Sequence, residues 1–177
     1  MYRRTALITT TAVLATTFAA PADAAPSLAR FIPAKAGSLT ISVPASAALG
    51  SARSGGQLTS RIATVTVTDT REPGAGSWTT TVSSTNYTRT SPPTATISRA
   101  NVYYWSGPAT DTQGGGTFTP GQPTAAQRVS LSTTQTAFSH THIAGVNSAS
   151  WAPTLQVSIP FATTAGNYAG TITHSVG

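Results

Sequence analysis

Ile62-Ala63-Thr64-Val65-Thr66-Val67-Thr68-Asp69-Thr70-Arg71-Glu72-Pro73-Gly74-Ala75-Gly76-Ser77-Trp78-Thr79-Thr80-Thr81-Val82-Ser83 is the stretch whose reading decides the fold. Ala63, Val65 and Val67 alternate with Thr64, Thr66 and Thr68, the period of two that marks a strand with one buried face. Trp78, Thr80 and Val82 repeat that spacing. Between the two runs, Pro73, Gly74 and Gly76 interrupt pairing and permit positive φ. The connection is too long for a two-residue turn, so the stretch reads as a hairpin closed by a looser loop.

Working outward, the same period returns in short pieces. Leu39, Ile41 and Val43 share a face before Pro44 ends that strand, and Gly50 to Gln57 reads as a loop. Asn86 to Arg89 is a short strand, broken by Ser91-Pro92-Pro93. Ile97 to Trp105 resumes, with Val102 and Tyr104 facing one way and Tyr103 and Trp105 the other, until Gly107-Pro108 turns the chain. Gly114-Gly115-Gly116 is a connection, and Thr117 to Thr119 a brief strand. Val129 and Leu131 alternate with Ser130 and Ser132, and Thr136 to Ser139 places Phe138 inward. Leu155, Val157 and Ile159 form a run closed by Pro160. After the Ala165-Gly166 turn, Tyr168, Gly170, Ile172, His174 and Val176 share a face of the return strand. No apolar period near 3.6 persists over three turns. Short strands and frequent turn signals predict an all-β fold, an Ig-like Greek-key β-sandwich, with a closed barrel as the alternative.

Residues 1 to 24 read as a signal peptide. Tyr2-Arg3-Arg4 is basic, Thr5 to Ala20 is mostly apolar, and Ala22-Asp23-Ala24 supplies small residues around a cleavage point. The apolar run is too short and too rich in threonine for a bilayer span of about 20 residues. Residues 25 to 37 form a flexible lead with Pro26, Pro33 and Gly37, and 38 to 177 a single sandwich domain. The expectation is a secreted, extracellular protein with no membrane span after cleavage and no C-terminal anchor. Beyond residue 24 stand eight Lys and Arg against three acids, a net charge of +5 spread singly from Arg30 to Arg128. Nucleic acid is not the expected partner, because phosphate tracking needs a clustered basic patch. Diffuse positive charge suits anionic wall polymers outside the cell. The chain has no cysteine, which removes disulfides and thiolate chemistry and leaves stability to the core.

Candidate chemistry is sparse. His140 and His142 share a strand face and His174 lies on another strand, so a three-imidazole zinc site is conceivable. No acid lies near them in sequence to orient the rings, and the expectation is no metal and no cofactor. A glycosidase pair would have to be Asp69 and Glu72 beside a Pro-Gly turn, where Asp69 pairing with Arg71 is the simpler reading. No Gly-x-Ser-x-Gly elbow is present, and the chain reads as non-enzymatic with no catalytic residues. The aromatics are the candidate ligand-binding residues: Tyr103 and Trp105 on one strand side, with Trp78 and Trp151 each at a strand start. Core packing is the competing reading for the last two.

Val65 to Arg71 followed by Gly76-Ser77-Trp78 resembles the first signature of WxL-type surface domains, a strand ending Asp-x-Arg that leads to a strand starting Gly-x-Trp. Trp151-Ala152-Pro153-Thr154-Leu155, with Ile159-Pro160 and Ala165 to Tyr168, is similar to the second signature. The ending Thr171-Ile172-Thr173-His174-Ser175-Val176 resembles that of small secreted WxL-like proteins of actinobacteria. Thr79-Thr80 and Ala152-Pro153 follow the tryptophans where the family signature carries leucine. The resemblance implies an all-β domain bound non-covalently to the cell wall, with peptidoglycan as ligand. The alternative expectation is a structural or adhesive subunit that binds protein partners by edge-strand addition.

Overall fold

The computed structural model describes residues 37–71, 76–141 and 145–177. The expected signal peptide, almost all of the lead, Glu72 and His142 lie outside these residues. Fifteen short strands follow in order: β1 (Leu39–Ser42), β2 (Gln57–Arg61), β3 (Val65–Asp69), β4 (Trp78–Ser84), β5 (Tyr87–Arg89), β6 (Thr96–Ile97), β7 (Val102–Trp105), β8 (Ala109–Gln113), β9 (Thr117–Pro120), β10 (Val129–Ser130), β11 (Gln135–Thr141), β12 (Asn147–Trp151), β13 (Thr154–Ser158), β14 (Tyr168–Ala169) and β15 (Ile172–Val176). Two single-turn 3₁₀ helices precede β7 and β10. Among the described residues no helix is long and apolar enough to cross a membrane.

The strands pair in four antiparallel sheets: β1-β3-β12-β8, β10-β7-β13-β2, β15-β4-β11-β9 and β14-β5-β6. The first two have matching orders because β2 runs into β3, β7 into β8 and β12 into β13 after two or three residues. They form one layer in which three long strands are broken at the same level. Pro153 and Pro108 sit at that break, where the missing N–H cannot serve a ladder. Across it, the Ile62 N–H donates to the Pro153 carbonyl at 2.9 Å. The other two sheets form the second layer in the same way, through β4–β5 and β14–β15, and Thr85 N–H bridges the gap to the Thr171 carbonyl. Trp151 of one layer stacks on Phe138 of the other, and Tyr104 meets His174. This is the predicted all-β sandwich.

Its connections differ from the expectation at the deciding stretch. β3 and β4 do not pair with each other. β3 lies between β1 and β12, while β4 lies between β11 and β15. Val65, Val67 and Trp78 point into the same core from opposite layers, so the connection crosses the sandwich rather than folding a hairpin. The Leu155 run and the return strand likewise belong to opposite layers. Gly107-Pro108 bends a strand within its layer rather than turning it back, since β8 continues beside β12. Ile97 to Trp105 is divided by the 3₁₀ turn at Arg99–Asn101. Trp151 ends a strand rather than starting one, because Asn147 to Ser150 pairs on both sides.

The core is one cluster built from both layers, including Val65, Val67, Val82, Val102, Leu131, Leu155 and Val157. Through it runs a column of rings. Trp151 and Phe138 lie 4.8 Å apart at their centres, Phe138 and Trp78 6.3 Å, Trp78 and His140 5.5 Å, and His140 and Phe118 4.3 Å. Offset stacking at these separations adds to the hydrophobic gain of burying such large surfaces, which the cysteine-free chain needs.

Candidate functional site

Each of the four aromatic candidates sits on a strand, and alternation decides which way it points. Trp78 and Trp151 are 1% and 0% exposed. Their rings lie in the core column and offer no face to a ligand.

The Trp78 indole N–H donates to Asn147 Oδ1 at 2.8 Å, inside the core. Beside it, Arg71 holds Asp69 in a two-pronged pair, Nε to Oδ1 at 2.9 Å and a terminal nitrogen to Oδ2 at 2.8 Å. The Arg71 backbone N–H adds a third bond to Oδ1. The same terminal nitrogen reaches the Ser77 carbonyl at 3.3 Å. Arg71 thereby ties the end of β3 to the residue before Trp78, stapling the two ends of the layer crossing. The Arg71 guanidinium holds the Asp69 carboxyl below its ordinary range against the opposing effect of burial, with the Asn147 amide assisting. The Asp-x-Arg and Gly-x-Trp elements of the sequence are thus joined as one structural clamp.

A second polar chain surrounds Trp151. Its indole N–H donates to the Tyr104 hydroxyl at 3.2 Å, and that hydroxyl lies 3.3 Å from His174 Nε2. An indole nitrogen only donates, so the hydroxyl accepts from it and keeps a hydrogen that it can give to an unprotonated His174 Nε2. That arrangement requires a neutral imidazole with its proton on Nδ1. Burial favours the neutral form, pushing the His174 pKa down to about 4. Burial also raises the pKa of the Tyr104 phenol.

The two described histidines, His140 and His174, do not converge. His140 lies on β11 between the Trp78 and Phe118 rings, with Nε2 2.9 Å from the Gly115 carbonyl. His174 lies on β15, and β4 separates the two strands. Among the described residues no group of three or more His, Asp or Glu side chains could hold a metal ion. Asp111 is exposed on β8, far in chain and role from Asp69, which is committed to Arg71.

What remains is the outer face of β10-β7-β13-β2. Tyr103 and Trp105 point outward, half-buried, while Val102 and Tyr104 point into the core. Register sets their neighbours: Tyr103 stands beside Gln156 and Ser130, Trp105 beside Thr154, with Thr59 and Arg61 in the next rank. The Arg128 guanidinium lies 5.6 Å from the Tyr103 ring centre, within cation–π range. Gln156 donates to Gln57 at 2.8 Å, and Arg61 Nε donates to the Ala152 carbonyl at 3.3 Å. The face therefore combines two aromatic rings, amides and hydroxyls for directed hydrogen bonds, and two cations. Alternation made the aromatic pair legible. The flanking Arg61, Gln156 and Arg128 were not, since only strand register brings them beside it.

No family model matches the chain, and no curated protein matches it.

Proposed function

We propose that the chain is a secreted, non-enzymatic cell-surface module that associates non-covalently with the bacterial cell wall, holding peptidoglycan glycan on the face of Tyr103 and Trp105. The carrying observation is that face itself, two outward rings on β7 framed by Gln156, Thr154, Arg61 and Arg128. Sugar rings have one apolar face that lies flat on an aromatic ring, and their hydroxyls need amides and hydroxyls at the rim. Secretion rests on the pattern of residues 1 to 24. The WxL-type resemblance points to the same ligand.

Retention of the purified protein on isolated sacculi tests the reading. We expect saturable retention that falls about tenfold or more in the Tyr103→Ala/Trp105→Ala variant, as expected for losing two stacking surfaces. Its melting transition should remain cooperative because both rings lie outside the core. No retention on sacculi, or full retention in the double variant, would overturn it.

The outer edge of β8 favours a second reading. β8 pairs only with β12 among the described residues, and Thr110, Asp111, Thr112 and Gln113 are exposed. An extended segment of a protein partner could add there as a further strand. Capture of a partner from culture that is lost in Thr112→Pro, with sacculi retaining nothing, would select this reading.

A further inference from the structure

A cleft of about 1010 Å³ opens between the segment that follows β1 and the segment that leads into β15. Its floor is the inner face of the sandwich, with Leu58, Leu155, Val157, Ile159 and Ile172, and Tyr168 stands at its side. Residues 43 to 54 cross over it as a strap without regular structure. From Val43 to Ala52 the strap makes no hydrogen bond within the described residues. Among the described residues it is fixed only at its two ends, by β1, where Ser42 pairs with Thr66, and at the far side, where Ser54 Oγ donates to the Pro160 carbonyl and Gly55 N–H reaches the same oxygen. Of its side chains, Leu49 alone packs on the core. A strap so held opens at little cost, since few bonds and little buried area oppose it.

Two further observations indicate what enters. Among the described residues three large apolar side chains are strongly exposed, and two of them flank this cleft. Val43, 45% exposed, lines it. Phe161, 88% exposed, lies against Gly55, beside the lining residues Ser54 and Thr163. Among the described residues Arg53 is the one charged side chain on the wall, and no carboxylate lines it. His174, reached at depth, is held neutral by burial.

We propose that the cleft binds a monomeric anionic amphiphile, a single long hydrocarbon chain lying along Leu58, Leu155 and Ile172 beneath the strap, with its carboxylate or phosphate head at Arg53. The chain buries the apolar floor, and Arg53 meets the only charge the ligand carries. This site is on the inner face of the strands whose outer face carries Tyr103 and Trp105, and it is independent of wall binding.

Calorimetric titration with decanoate, dodecanoate and tetradecanoate below their micelle concentrations tests it. Affinity should rise about two- to fourfold per methylene until the cleft is filled. Dodecanol should bind about tenfold more weakly than dodecanoate, the value of one charge-assisted hydrogen bond. Arg53→Ala should abolish that difference. Ala48 and Ala165 are exposed lining residues, so Ala48→Trp with Ala165→Trp should block the cleft without disturbing the core. Binding should then be lost while the melting temperature and sacculus retention stay unchanged. Absence of saturable binding, or undiminished binding in the blocked variant, would overturn the proposal. Retention on phosphatidylglycerol vesicles without binding of any monomer would overturn it in favour of a membrane surface.

Discussion

Asn147 shows how one small side chain can matter more to this fold than several larger ones. Its Oδ1 takes the only proton that the buried Trp78 indole can donate. In Asn147→Ala that donor stays buried without an acceptor, at a cost of about 1–3 kcal/mol, which urea unfolding would measure. Trp78→Ala should cost about 3–5 kcal/mol, because the ring column loses its central member and a cavity remains. His174 sets a pH window. The unfolded imidazole takes up a proton near 6.5 and the folded one only near about 4. Between those values the unfolded state binds more protons, so stability is full above pH 6.5, falls as pH drops through the window, and levels below about 4. Melting curves of His174→Gln should lack that slope. A separate loss below pH 3.8 belongs to Asp69, whose carboxyl is held low by Arg71 and surrenders its contribution when protonated.

At the scale of elements, the crossing from β3 to β4 depends on Arg71. Asp69 is 4% exposed, so Arg71→Ala leaves a nearly buried carboxylate without its counter-charge and frees the Ser77 carbonyl. About 2–3 kcal/mol should be lost, less than for a fully buried pair because the guanidinium is partly solvated. The acid limb of the melting profile should also shift to higher pH, since Asp69 loses the group that lowers its pKa. Asp69→Asn combined with Arg71→Ala should recover part of the loss, as no charge then remains buried. Period-two alternation identified β1, β3, β4, β7, β13 and β15 because each turns one row of side chains, mostly apolar, toward the core, fully buried in β3, β4, β7 and β13 and partly buried in β1 and β15. It missed β12, whose Asn147, Ser148, Ala149 and Ser150 are small or polar. Those residues form a strand because β3 and β8 pair with both sides of it. β11 extends past the predicted Thr136 to Ser139 to include Gln135, His140 and Thr141, and a register shift between Thr136 and Phe138 turns both Ala137 and Phe138 to the core.

For the whole molecule, charge and surface make separable demands on wall binding. Positive charge is dispersed, and attraction to phosphate polymers acts over a Debye length of about 8 Å at 0.15 M salt and about 3 Å at 1 M. Stacking on Tyr103 and Trp105 is not screened in this way. Retention on sacculi should therefore persist largely intact at about 1 M salt, whereas a protein held by charge alone should wash off. Hydrogen exchange should divide the molecule similarly. Amides of residues 43 to 52 should exchange fast, while those of β4, β11 and β12 should wait for global unfolding.

Local pattern by itself determined the all-β class, the alternating rows of most strands, the grouping of Tyr103 with Trp105 on the side opposite Val102 and Tyr104, and the Asp69–Arg71 contact. Each of these follows from residues a few positions apart, whose relation is set by backbone period or by a short turn. Which of the two pairs faces outward was decided by the sheet that covers Val102 and Tyr104. Tertiary structure alone decided that β3 and β4 lie in opposite layers, that three strands bend together at Pro153 and Pro108, and that Asn147 receives the Trp78 proton. It alone placed Arg61, Gln156 and Arg128 around the aromatic pair and laid the strap over the cleft. These features join residues tens of positions apart. Pairing energy depends on which faces become buried together, and a local period cannot encode which distant strand supplies the other face.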